Sequence, residues 1–233
     1  MPSIRPVSLP TDHAALDHIF RTTSGPSFKP EPAATISSHL FCHAYAALEP
    51  RTSLVLVDSS NTPVGYILGT PDTRAFASRW KREYAAGLDL AGIARPPDYA
   101  AQGLPRPADF ESSLLDLLFN SPEELLNLHV PSREEPLAGT WGAHFHVDIL
   151  PAYQRQGWGA AMVEEMCGAL RAGGARGVHL GLEGRNEGAA RFYARMGFRR
   201  AEVVLDGGAS GEVGRMAGEN GTVFMVKDLV EGV

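Results

Sequence analysis

Hydrophobic and polar positions follow two periods along this chain, and each change of period marks a new element. "SIRPVSLP" reads as a short strand, with Pro6 placing it at a sheet edge or a strand end. Thr11 or Asp12 can cap a helix whose Leu16, Ile19 and Phe20 share a face. After a proline-punctuated turn, "GPSFKPEP", the residues Ile36, Leu40, Ala44, Ala47 and Leu48 recur at helical spacing until Pro50. Two apolar runs, "SLVLVD" and "PVGYILG", joined by "SSNT", carry the signature of a β-hairpin.

Between Pro71 and Gly139 no strand-like run occurs. A helix is expected around Ala75–Ala86, then the Pro/Gly-rich "ARPPDYAAQGLPRPADF", then two short helices, "ESSLLDLLF" and "SPEELLNL". In the last of these Ser121 is placed as N-cap, Pro122 in the first turn and Glu124 as the capping-box acid. So many leucines argue for a packed insertion or lid over residues 71–139 of a single domain spanning 1–233, against a structureless linker. Strand character returns in "WGAHFHVDIL". A helix from Gly157 to about Ala172 follows, burying Met162, Val163, Met166 and Leu170 and ending at Gly173-Gly174. "VHLGL" is a buried strand. Asn186 caps a helix whose Ala189, Phe192, Tyr193 and Met196 form one face, and "RRAEVVL" and "TVFMVK" close the chain as an antiparallel pair.

Composition narrows the function classes. With 233 residues, 44% of them hydrophobic, the chain can bury a sizeable core. The formal net charge is -6 and no basic cluster forms, so no nucleic-acid partner is expected. The only cysteines, Cys42 and Cys167, fall on helix patterns and read as small buried hydrophobes, which excludes a disulfide framework. The N-terminus lacks the apolar stretch of a signal peptide, and no run is long enough to span a bilayer. A cytoplasmic protein is expected, with no membrane partner, monomeric or homodimeric.

The candidate chemistry lies in "HFHVDILPAYQRQGWGAAM". A strand, a glycine turn and a helix start stand in immediate succession, and a helix start offers unpaired N–H groups and a positive dipole end to an anion. Gly157 and Gly159 let a phosphate approach the backbone; Gln154, Arg155 and Gln156 add donors at the rim. A P-loop is ruled out because Ala160-Ala161 stand where Lys-Ser/Thr would be needed. A dinucleotide fingerprint is ruled out because Met162 replaces the third glycine and the flanking strands are not alternating βαβ units.

"VDILPAYQRQGWGAAMVEEM" resembles the acetyl-CoA-binding segment of the GNAT superfamily of N-acetyltransferases, and "NEGAARFYARMGF" resembles that superfamily's second signature. The two occur in the right order with "VHLGL" between them, so the resemblance is sharp over Phe145–Phe198. It implies the GNAT fold: an α/β architecture with a mixed, mainly antiparallel sheet, helices on both faces and a splay where the coenzyme enters. It implies direct acetyl transfer from acetyl-CoA, a cosubstrate, to an amine, without a metal. The main chain of Val147, Ile149 and Leu150 would pair with the pantetheine arm. The segment of Gln154, Arg155, Gln156, Gly157, Trp158, Gly159 and Ala160 would hold the pyrophosphate, Asn186 would bond near the coenzyme's arm, and Tyr193 would protonate the departing thiolate. The insertion, beginning "GYILGTPDTRAFASRWKREYAAGL", is also similar to the acetyltransferase-like C-terminal domain of animal O-GlcNAcase. That animal domain departs from the coenzyme-binding glycines, which this chain retains, so a free-standing bacterial relative is implied. The competing expectation is an inactive acyl-CoA-binding or interaction domain.

An amine must lose a proton before or during attack. His144, His146 and Asp148 stand at i, i+2 and i+4, so on a regular strand they share a face, and a bulge would re-aim one of them. Any of the three is a candidate base. "AHFH" is similar to the paired histidines of the aralkylamine branch of the superfamily, offset by one residue. The competing reading for each histidine is a hydrogen-bonded core residue. The acceptor is open among histone-like peptide, small amine and aminosugar.

Overall fold

The computed structural model describes residues 1–126, 137–183, 186–201 and 222–230. Seven strands form one sheet in the order β1-β2-β3-β4-β5-β7-β6. They are β1 (Ser3–Pro6), β2 (Ser53–Val57), β3 (Pro63–Thr70), β4 (Ala143–Ile149), β5 (Gly177–Glu183), β6 (Arg199–Arg200) and β7 (Thr222–Asp228). Every neighbouring pair is antiparallel except β4 and β5. The expected hairpin is β2–β3. The closing pair is present as β6–β7, although β6 is only two residues long and 202–221 lie outside the described residues.

The helices are α1 (His13–Thr23), α2 (Ala33–Ser38), α3 (Ala44–Leu48), α4 (Thr73–Arg79), α5 (Phe110–Phe119), α6 (Pro122–Leu125), α7 (Leu137–Thr140), α8 (Trp158–Ala172) and α9 (Glu187–Arg195). The sheet divides the core. On one side α1, α2, α3, α4, α5 and α6 pack over Val55, Tyr66 and Leu68. On the other, α8 and α9 pack over Ile67, Phe145 and Val178. The segment from α4 to α6 therefore joins the first core directly: Trp80 is fully buried there and its Nε1–H donates to the Leu118 carbonyl at 2.9 Å.

Two local expectations are corrected. Asp12 precedes α1 but makes no side-chain cap; its carboxylate is taken by both arms of Arg5 and by the Ser8 N–H. A fork of two charge-assisted bonds outcompetes a single bond to a helix N–H. The second correction concerns the phase of the helix after Ile36. A π-turn over His39–His43 joins α2 to α3 and inserts one residue into the repeat. Tyr45, five residues after Leu40, thereby comes onto the buried face, and Ala47 is turned to solvent.

β3 is buried along its whole length. It approaches β4 so closely at Gly69 that a Cβ there would lie 2.6 Å from the His144 carbonyl oxygen and 2.8 Å from Phe145 Cβ. Gly69→Ala is therefore expected to cost about 1–3 kcal/mol through overpacking. The check is a fall in the urea midpoint at unchanged slope. An unchanged midpoint would mean that β3 and β4 part without cost.

Candidate functional site

β4 presents three different surfaces. Its register with β3 is unbroken from Gly65↔Ile149 to Thr70↔His144, so no bulge re-aims a side chain. The Leu150 N–H donates to the Val64 carbonyl at 2.9 Å, which sets the even-numbered main-chain groups toward β3. The odd-numbered groups point the other way, toward β5. That strand pairs with β4 only at Ala143↔Val178 and His144↔His179 and then diverges. Val147 and Ile149 thus face a splay with their main chain.

The turn that follows β4 leads into α8. Arg155 (φ 59°) and Gly157 (φ 90°) both adopt left-handed backbone, which turns successive N–H groups to one side. Among the described residues, a Cβ on Gly157 would meet nothing within 4 Å. Gly157 caps the 15-residue α8, whose dipole adds to the field there.

The structure narrows the expected donor set in four places. The Ala160 N–H bonds the Gly157 carbonyl at 3.1 Å, because the first turn of α8 is tight. Leu150 has both main-chain groups engaged, its carbonyl by the Tyr153 N–H. The side-chain amides of Gln154 and Gln156 are turned inward, donating to the carbonyls of Ile149 and Ala152 at 2.7 Å each. They brace the turn and do not line its rim. Among the described residues, what stays open is the main chain of Val147, the Ile149 N–H, and the N–H groups of Arg155, Gln156, Gly157, Trp158 and Gly159.

His144, His146 and Asp148 do share one face of β4, under the rod of α2, the π-turn and α3. Their surroundings differ. His144 is 6% exposed, and both ring nitrogens are engaged: Nε2 with the Tyr45 hydroxyl at 2.7 Å and Nδ1 with Thr73 Oγ1 at 2.6 Å. Burial, with His179 and His146 nearby, pushes its pKa well below the usual imidazole range. His146 is partly buried, edge-on to Phe41, with Nε2 3.2 Å from the Tyr45 hydroxyl. Burial lowers its pKa to about 4. Asp148 accepts the Tyr66 hydroxyl at 2.6 Å. Burial raises its pKa, and bonds from Tyr66 and Thr23 offset part of that rise.

Tyr193 lies on the opposite side of the sheet. It is 7% exposed, packed among Phe145, Phe192 and Phe198, and burial raises its phenol further above its ordinary value. The splay lies between this tyrosine and the His146/Asp148 face. Asn186 Oδ1 accepts the Ala189 N–H at 2.9 Å and caps α9 as expected.

Tyr45, Tyr66 and Thr73 were not singled out from the sequence. The available signal was indirect: two histidines on a buried strand face need partners, and Tyr66 is the cross-strand partner of Asp148. Among the described residues no group of three or more His, Cys, Asp or Glu is placed to hold a metal ion, and no helix is long and apolar enough to cross a membrane.

Residues 132–200 match the family model of the acetyltransferase (GNAT) domain. That span holds β4, the glycine turn, α8, β5 and α9. Among solved structures, SsHAT is 27% identical with a TM-score of 0.73, over 99% of both chains. Phosphinothricin acetyltransferase (Pat) of Sinorhizobium meliloti, solved with AcCoA, is 12% identical with a TM-score of 0.53, over 100% of this chain and 90% of that one. The ribosomal-protein-S18-alanine N-acetyltransferase of Escherichia coli is 14% identical with a TM-score of 0.51, over 100% and 97%. The seven-stranded sheet and its flanking helices have the GNAT fold.

Proposed function

We propose that this protein transfers the acetyl group of acetyl-CoA to an amine by direct attack within a ternary complex. The observation that carries the reading is the left-handed glycine turn at the head of α8, set beside the splayed edge of β4. The turn's open N–H groups suit the pyrophosphate. The main chain of Val147 and the Ile149 N–H suit an extended arm carrying amides. An arm held there brings its thioester between Tyr193 on one side and His146 and Asp148 on the other.

Asp148, partly buried and hydrogen-bonded by the Tyr66 hydroxyl, draws in the acceptor amine as a cation. His146 takes the proton. A full transfer from a free alkylammonium, with a pKa of about 10.4, to a group at about 4 would run uphill by roughly 9 kcal/mol. The bound ammonium therefore first loses one proton to water, and His146 accepts the second as the nitrogen bonds the acetyl carbon, when that N–H has become acidic. Tyr193, kept protonated by its raised pKa, passes its proton to the sulfur as the thioester bond breaks, and the proton held by His146 returns by way of solvent to restore the phenol. The products are an amide and the free thiol. His144, with both nitrogens engaged, takes no direct part.

Isothermal calorimetry with acetyl-CoA, followed by thiol-release assays on a panel of amines, tests the reading. Binding with amine-dependent thiol release is expected. Binding without release from any amine would leave a coenzyme-binding domain, and no binding would remove the coenzyme from the account.

A further inference from the structure

Four side chains from three elements, α3, α4 and β4, make one hydrogen-bonded line beneath the proposed acceptor site. Thr73 Oγ1 lies 2.7 Å from the Gly142 carbonyl and 2.6 Å from His144 Nδ1. His144 Nε2 lies 2.7 Å from the Tyr45 hydroxyl, which lies 3.2 Å from His146 Nε2. Thr73, His144 and Tyr45 are 1%, 6% and 0% exposed, so water does not complete this line.

The direction of every bond follows from one end. The Gly142 carbonyl can only accept, and two oxygens 2.7 Å apart need a proton between them. The single Thr73 hydroxyl hydrogen therefore goes to Gly142. The Thr73 oxygen is left to accept, so His144 carries its proton on Nδ1. A neutral imidazole has one N–H, so His144 Nε2 is an acceptor and Tyr45 donates to it. The Tyr45 oxygen in turn accepts from His146 Nε2–H. The lone pair of His146 is left on Nδ1.

We propose that Thr73, His144 and Tyr45 are positioning residues that hold His146 as its Nε2–H tautomer, with Nδ1 as the proton-accepting atom. The two neighbouring histidines are thereby fixed in opposite tautomers. Without the line, the two tautomers of His146 would exchange and only one would present an acceptor at Nδ1. The tautomers themselves do not depend on the reaction; their use in catalysis rests on the acetyl-transfer reading.

The test is long-range nitrogen–proton correlation NMR on histidine-labelled full-length protein at neutral pH, with His144 and His146 assigned from the signals lost in H144Q and H146Q. The expected spectrum shows His144 protonated on Nδ1 and His146 on Nε2. The reverse pattern, or the same tautomer for both, overturns the proposal. Tyr45→Phe is expected to leave His144 on Nδ1 and to give His146 a mixture. Because Tyr45 is a core residue, Thr73→Val is the second variant: it removes the acceptor for His144 Nδ1–H and is expected to disturb both patterns, while Thr73→Ser restores them. In the transfer assay Thr73→Val is expected to lower kcat about 10- to 100-fold with KM little changed, and Thr73→Ser to recover it. Wild-type tautomers with undiminished kcat in Thr73→Val would overturn the positioning role and leave the acetyl-transfer reading standing. Thiol release absent from the wild type, with the expected spectra, would overturn that reading and leave the tautomers standing.

Discussion

Tyr193→Phe is expected to lower turnover by about 10²–10⁴-fold while leaving acetyl-CoA affinity nearly unchanged. The reason lies in where the hydroxyl sits. Tyr193 is buried among three aromatic rings, so phenylalanine keeps the packing and removes only the donor. The coenzyme's proposed anchors, the turn after β4 and the edge of that strand, are untouched. A donor held in an apolar surround faces little competition from water, so its hydrogen bond to a sulfur gaining charge is strong. Stopped turnover with intact calorimetric binding supports the role. Equal loss of binding and turnover would assign Tyr193 to structure, and unchanged turnover would remove it from the reaction.

The second large effect is loss of stability in mild acid. Burial holds His39, His43 and His146 at about 4, against 6.5 for the free side chain, and lowers His144 and His179 in the same direction. A depressed imidazole pKa means that the unfolded chain binds more protons, so stability is complete above pH 6.5 and falls as pH drops toward 4. Each such shift is worth about 3 kcal/mol at its limit, and three of them rival the roughly 5–15 kcal/mol that holds an ordinary domain together. Asp148 and Glu49, whose pKa values burial raises, work in the opposite sense, because the folded state gains their protons more readily. Two raised carboxyls against five lowered imidazoles leave the histidines dominant. Asp12, held below its ordinary range by Arg5, adds to the loss only below about pH 4. The urea midpoint should therefore decline steadily from pH 7 to pH 5, with protons taken up on unfolding. A flat midpoint over that range would show that the buried imidazoles are accommodated as cations.

The parts of this molecule that were legible in the chain are those governed by local rules. A period of two placed His144, His146 and Asp148 on one face of β4. Asn186 stood where a helix must be capped, and it caps α9; Gly157 stood at the head of a helix, and it is the N-cap of α8. The parts that were not legible depend on what arrives from elsewhere. Tyr45 meets His144 across 99 positions of sequence, and no periodicity reports such a contact. The helix carrying Tyr45 also defeats a 3.6-residue count, because its π-turn shifts the phase midway. Gln154 and Gln156 look like rim donors by type and position. Their amides instead satisfy carbonyls of their own loop, a choice set by short-range competition for acceptors.

The π-turn at His39–His43 has a consequence for how this face of the sheet can change over time. An extra residue in a helical repeat is gained or lost only by insertion or deletion, never by exchanging one side chain for another. A one-residue deletion within the π-turn would regularise the rod and strengthen its backbone bonding, and Tyr45, then four positions after Leu40, would keep its face. Regularising the rod at its present length would instead rotate the following turn by about 100°, carrying Tyr45 away from the two imidazoles and bringing Ala44, which has no hydroxyl, to that angle. The hydroxyl between the histidines thus depends on the length of this segment and its π-turn changing together.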